Sequence, residues 1–254
     1  GDQVGEGRVF NALGAIYGNR GDYAQALQFY QQSLTLRRKL GDRPGEARVL
    51  GNMGAVYDGQ GNYQQAQVFY QQALGIQRDI GDRAGEGLNL GNVGLAYSNL
   101  GQFTKALEFY QQALVIAKEI DDQSGQAYLL TSIGTAYSNQ GDYAKALRFY
   151  QQGLTIQQTI GDRSAEGHTL NSIGTAYDNL GQITKATTYY QQALAIRREI
   201  GDRAGEARTL TNLGGVYDSL KQPDRALMFY QQALAIRRKI GDRAGEGITL
   251  NSLG

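Results

Sequence analysis

The sequence has no cysteine and no tryptophan, two prolines, and a single histidine in 254 residues. Without cysteine there is no disulfide framework, no thiolate metal site and no cysteine nucleophile. One imidazole leaves no pair of histidines for zinc. Long apolar runs are missing too, so nothing reads as a bilayer span, and no basic-then-apolar leader opens the chain. Neither sign of charge is in excess: 25 Lys and Arg stand against 24 Asp and Glu. That balance leaves no global field to recruit nucleic acid or an anionic membrane. A soluble, cytoplasmic protein is the expectation. Glycine, by contrast, is abundant at 35 residues, about twice its usual share.

The glycines are periodic, which rejects low complexity. The sequence repeats every 40 residues, giving units 1–40, 41–80, 81–120, 121–160, 161–200 and 201–240 and a partial unit 241–254. Numbered within a unit, position 14 is always Gly (Gly14 to Gly254), position 17 always Tyr, position 26 always Ala and position 30 always Tyr. Gln-Gln follows at 31 and 32, and Leu at 34. A fixed period in this range marks a solenoid.

Each unit reads as two helices. Positions 10, 13, 14 and 17 form one inward stripe at i, i+3, i+4, i+7, and positions 26, 27, 30, 33, 34 and 37 form a second. Asp at position 2 suits the first helix's N-cap, Glu at position 6 its positive end, and Pro44 its first turn. Gly at position 21 separates the helices, and Gly at position 1 stops the second. Arginines at 37 and 38 fall near that helix's negative end. The small Gly14 and Ala26 positions let two backbones approach, with tyrosine rings filling the remaining space. A larger side chain there, at Gly134 for example, is expected to overpack the contact. One hairpin cannot bury both faces, so successive units must stack into one continuous core.

The string Leu90-x-x-Val93-Gly94-x-x-Tyr97 followed by Ala106-x-x-x-Tyr110 resembles the tetratricopeptide repeat, whose pattern is W-x2-L-G-x2-Y then A-x3-F. The resemblance spans all six full units. Phe10 or Leu replaces the usual Trp, and Tyr the usual Phe. The proline that ends a 34-residue unit is absent, with Arg38, Arg78, Lys118, Gln158, Arg198 and Arg238 in its place. Such long units resemble those of kinesin light chains, of spindle-orientation adaptors and of bacterial multi-repeat proteins. The implied fold is all-α, a right-handed superhelical solenoid of antiparallel helix pairs, here one array belonging to a longer protein.

At 100° per residue, positions 8, 11, 12, 15 and 19 lie opposite the inward stripe of the first helix. In tetratricopeptide arrays first helices line the concave surface, so the resemblance assigns this stripe to a groove. It carries Asn11, Asn52, Asn92, Asn99, Ser132, Asn139, Asn171, Asn179 and Asn212. Amides both donate and accept, so a row of them can pair with an extended peptide backbone whatever its sequence. The adaptor family uses Asn in this way. Position 8 varies: Arg8, Arg48 and Arg208 suit ligand carboxylates, His168 joins them, and Leu88 and Tyr128 with Leu95 form an apolar patch for one ligand side chain.

Other chemistry finds no support. His168 has no second ligand. Asp121-Asp122-Gln123-Ser124-Gly125-Gln126 lacks the alternating acids of a calcium loop, and Gly5-x-Gly7 follows no strand. No nucleophile–base pair is recognisable. No catalysis, metal or cofactor is expected. The expected partner is an extended segment of another protein or of another domain of the same protein, with no membrane. The alternatives are a helical-repeat RNA reader, which the absence of a basic groove argues against, and a spacer or self-assembling array. End-to-end stacking would use Leu250 and Leu253, which lack a partner helix. The fourth unit departs most, with Asp121 for Gly, Gln126 for Glu, and Gln157-Gln158; a softer joint and simple drift both remain open.

Overall fold

The computed structural model describes residues 2–252; Leu253, Gly254 and Gly1 lie outside the described residues. Among those described are thirteen helices and no strand. First helices are α1 (Gln3–Asn19), α3 (Arg43–Gly59), α5 (Arg83–Asn99), α7 (Gln123–Asn139), α9 (Arg163–Asn179), α11 (Arg203–Ser219) and α13 (Arg243–Asn251). Second helices are α2 (Tyr23–Leu40), α4 (Tyr63–Ile80), α6 (Phe103–Glu119), α8 (Tyr143–Ile160), α10 (Ile183–Glu199) and α12 (Pro223–Ile240). None is long and apolar enough to cross a membrane.

The helix ends follow the sequence signals. Asp42 accepts a hydrogen bond from the Gly45 N–H at 2.9 Å, and Asp202 from the Gly205 N–H at 2.8 Å. Pro44 and Pro223 occupy first-turn positions. Turns close through glycine in the left-handed region, except where Asp121 (φ 54°) and Lys221 (φ 56°) take that conformation. A side chain there costs about 1 kcal/mol. Asp121→Gly is therefore expected to raise stability by about 1 kcal/mol in urea unfolding; an unchanged or lower midpoint would contradict a strained turn.

The chain forms two compact units, Gly1–Ala136 and Tyr137–Gly254, and the division falls inside α7 of the irregular fourth repeat. Within each unit, second helices such as α2, α4 and α10 pack along their own first helix and against the next. In the N-terminal unit, Ala26, Tyr30, Leu34, Val49, Leu50 and Met53 form one buried cluster; in the C-terminal unit, Tyr190, Leu210, Leu213 and Val216 form another. Aromatic pairs stack beside these cores, Tyr57 on Phe69 at 5.2 Å and Tyr217 on Phe229 at 5.3 Å. Positions 9 and 16 face the preceding helix pair, so Val49 and Val56 are buried while Val9 and Ile16 are exposed.

Charged side chains bracket neighbouring repeats. Glu206 accepts from both Arg198 and Arg203, and Glu86 from both Arg78 and Arg83. Burial works against the Glu86 carboxylate, but the two guanidiniums outweigh it and hold its pKa below the ordinary value. Gln126 breaks this pattern, donating instead to the Ala117 carbonyl at 3.1 Å. Position 37 lies in the last turn of the second helix and on its inward stripe, as expected. Arg37, Arg197 and Arg237 are almost fully buried, and each packs against the first turns of a neighbouring first helix. Leu250 is exposed, as expected.

Candidate binding groove

Within each unit, neighbouring first helices come into contact, α1 with α3, α3 with α5 and α9 with α11, whereas second helices do not to the same extent. First helices therefore sit on the tighter side of the stack. Their stripe opposite the core is left open, with clefts where one helix meets the next.

Position 8 is free along this face. Arg8, Arg48, Leu88, Tyr128, His168 and Arg208 are all exposed, and Arg8, Arg48 and Arg208 form no ion pair with any described residue. His168 lies among protein atoms and near Arg197 and Arg208. Its side chain keeps an exposed edge, but partial desolvation by those atoms first, and the guanidiniums second, hold its pKa below the ordinary value, so the neutral donor–acceptor form prevails at pH 7.

The amide row is only partly free. Asn92, Ser132 and Asn212 are half-buried, and Asn99, Asn139 and Asn179 are exposed. Asn52 donates to the Asn11 carbonyl oxygen at 3.0 Å, tying α3 to α1. Asn171 is buried between α9 and α11, where its oxygen accepts from Thr209 at 3.1 Å and Asn212 at 3.2 Å. Asn179 donates to the Thr175 carbonyl at 2.8 Å, and Asn99 to Asp58 at 3.5 Å. Several amides thus already join neighbouring repeats. Asn171 is the clearest departure from an open ladder, because position 11 lies where two first helices approach most closely.

The apolar patch is a cleft. Leu88 and Tyr128 stand at the mouth of a hollow of about 130 Å³ between α5, α6 and α7, lined also by Gly87, Gly91, Ala113 and Leu129. Leu95 is half-buried and does not line it.

Two features of this face went unnoticed in the sequence. The position 30 tyrosines bury their rings in the core but carry their hydroxyls through to the first-helix face. The Tyr190 hydroxyl donates to the Thr175 hydroxyl at 3.1 Å, and Tyr110 hydrogen-bonds with Ser98 and Ser132. Burial raises the pKa of Tyr110 and Tyr70 well above the ordinary phenol value. Position 18 places acids beside them. Asp58 and Asp178 are half-buried, and burial raises both carboxyl pKa values. The spacing 11, 15, 18 is itself helical and could have revealed them.

A tetratricopeptide repeat family model matches residues 6–79, 86–159 and 165–239. The chain belongs to the tetratricopeptide repeat family. No curated protein matches it in sequence. Among solved structures, BtubC from P. vanneervenii is similar over 84% of this chain and 89% of its own, at 20% identity and a TM-score of 0.74. The apo form of RapI is similar over 95% and 86%, at 15% identity and 0.76. A kinesin light chain-like repeat protein of Podosopora anserina is similar over 76% and 95%, at 19% identity and 0.63. At such identities the likeness is one of fold alone, a tetratricopeptide solenoid.

Proposed function

We propose that the open face of the first helices binds an extended peptide segment, from a partner or from another domain of the same protein. The observation that carries this reading is what the uncovered first-helix face of each unit holds: half-buried Asn52, Asn92 and Ser132 with unpaired Arg8 and Arg48 and an apolar cleft in the N-terminal unit, and half-buried Asn212 with unpaired Arg208 in the C-terminal unit. Partly desolvated groups able to donate and accept can exchange water for a peptide backbone at small cost, while the arginines and the cleft select side chains. A Rap protein complexed with competence and sporulation factor is similar in fold over 98% of this chain, with a TM-score of 0.72, which supports the reading at the level of architecture.

The test is a peptide-array screen on the full chain, followed by titration of the binders it yields. Asn92→Ala and Asn212→Ala are each expected to weaken binding by roughly tenfold, the loss of one central polar contact. Undiminished affinity in both variants would defeat the amide contribution.

A further inference from the structure

Resting on that reading, we propose that the hollow at Gly87 and Gly91 and the carboxylate of Asp58 form one two-part site. Its ligand is an extended peptide presenting a large apolar side chain and, about four residues away, a lysine or arginine.

The glycine pair that lines the hollow is specific to the third repeat. Only there among the complete units are positions 7 and 11 both glycine; elsewhere a side chain stands at one or both, as Ala47, Ala127 with Thr131, Asn171, or Ala207 with Thr211. Packing does not demand this at Gly91. A Cβ there would meet only Leu129 Cδ2, at an ordinary 3.5 Å. Alanine would also favour the helix by about 1 kcal/mol, so the fold has no use for the glycine and an entering side chain does. The volume, about 130 Å³, is close to the ~150 Å³ that admits a benzene ring. Leu88 and Tyr128 at its mouth are 66% and 50% exposed, large apolar surface left open to water.

Asp58 supplies the second part. It is half-buried on α3, its one hydrogen bond is the long contact from Asn99, and no described cation offsets its charge. A partly desolvated, unpaired carboxylate is costly unless a cation arrives. Its charge reaches Tyr70, Tyr110 and Tyr128, and the last two both hydrogen-bond with Ser132, so the carboxylate and the cleft mouth share one surface. Because α3 and α5 run the same way, the hollow, centred near position 9, and Asp58 at position 18 are separated by about 14 Å along the helix axis. Extended chain covers that in about four residues.

The probes are fluorescein-labelled dodecapeptides of Gly and Ser carrying one Leu and one Arg four residues apart, in either order, titrated against the full chain. Controls replace Leu by Ser, replace Arg by Glu, or bring the two residues together. One order of the patterned peptide should bind at least tenfold tighter than every control. Gly91→Leu should remove the advantage of Leu and keep that of Arg. Asp58→Asn should remove the advantage of Arg and its salt dependence and keep that of Leu, while melting at or above the wild-type temperature. A patterned peptide no tighter than its controls, or a preference untouched by either variant, overturns the proposal. Peptides that bind without this pattern but lose affinity in Asn92→Ala overturn it while leaving the broader reading standing. A pattern preference that persists in Asn92→Ala and Asn212→Ala supports it and removes the amides instead.

Discussion

Gly94→Leu is expected to destabilise the chain by about 3 kcal/mol, and even Gly94→Ala by roughly 1–3 kcal/mol, although alanine is the better helix former by about 1 kcal/mol. A Cβ on Gly94 would stand 2.7 Å from Cδ1 and 2.8 Å from Cε1 of Tyr110, well inside contact distance. The ring has nowhere to go. Tyr110 is 2% exposed, and its hydroxyl is fixed by Ser98 and Ser132. The same approach recurs at Gly14, Gly54, Gly174 and Gly214, so the glycine is a packing requirement of the repeat. Gly75 is the control. It lies on the exposed side of α4 with nothing within 4 Å of its absent Cβ, so Gly75→Ala should stabilise by about 0.5–1 kcal/mol. Urea unfolding of both variants decides: shifts of the same sign would mean that helix propensity, and not the tyrosine contact, governs position 14.

That contact was legible because the two residues recur at fixed positions on stripes that must face each other. Caps and turns were legible for the same reason: each follows from local chemistry or from angle around one helix. The binding face was legible only in direction. Angle around a helix says that Asn171 points away from the core; it does not say how near α11 comes, and that distance turns the side chain into a tie between repeats. Position 37 was legible both as a last-turn position and as part of the inward stripe. An arginine in a last turn satisfies the helix dipole whether it reaches into solvent or folds beneath the next helix, and Arg37, Arg197 and Arg237 take the second course. The tyrosine hydroxyls were missed because periodicity reports where a Cβ points. A phenol is long enough to start in the core and end on the opposite face.

Those phenols make the chain sensitive to alkali, and this is the second large effect expected. Burial, opposed only in part by the Thr175 hydroxyl, pushes the Tyr190 phenol up to about 12. An unfolded tyrosine ionises near 10. The folded state therefore keeps its proton longer than the unfolded state, and stability is lost as pH climbs from about 10 toward about 12. For this one residue the loss is on the order of 3 kcal/mol across that window. Burial shifts Tyr30, Tyr70, Tyr110 and Tyr230 the same way. Each adds a loss of the same sign, so the helices should melt as pH climbs through this window, with the absorbance of the buried phenolates rising in the same step. Two variants separate ring from hydroxyl. Tyr190→Ala leaves a cavity under Gly174 and should cost about 3–5 kcal/mol at every pH. Tyr190→Phe keeps the ring, loses the bond to Thr175 at about 1 kcal/mol near neutrality, and should then overtake the wild type above pH 11, since it has no phenol to ionise. Circular dichroism and absorbance followed together across pH provide the check. Phenolate absorbance from all 17 tyrosines developing around pH 10 with the helices intact would mean that these hydroxyls are open to water on the groove face.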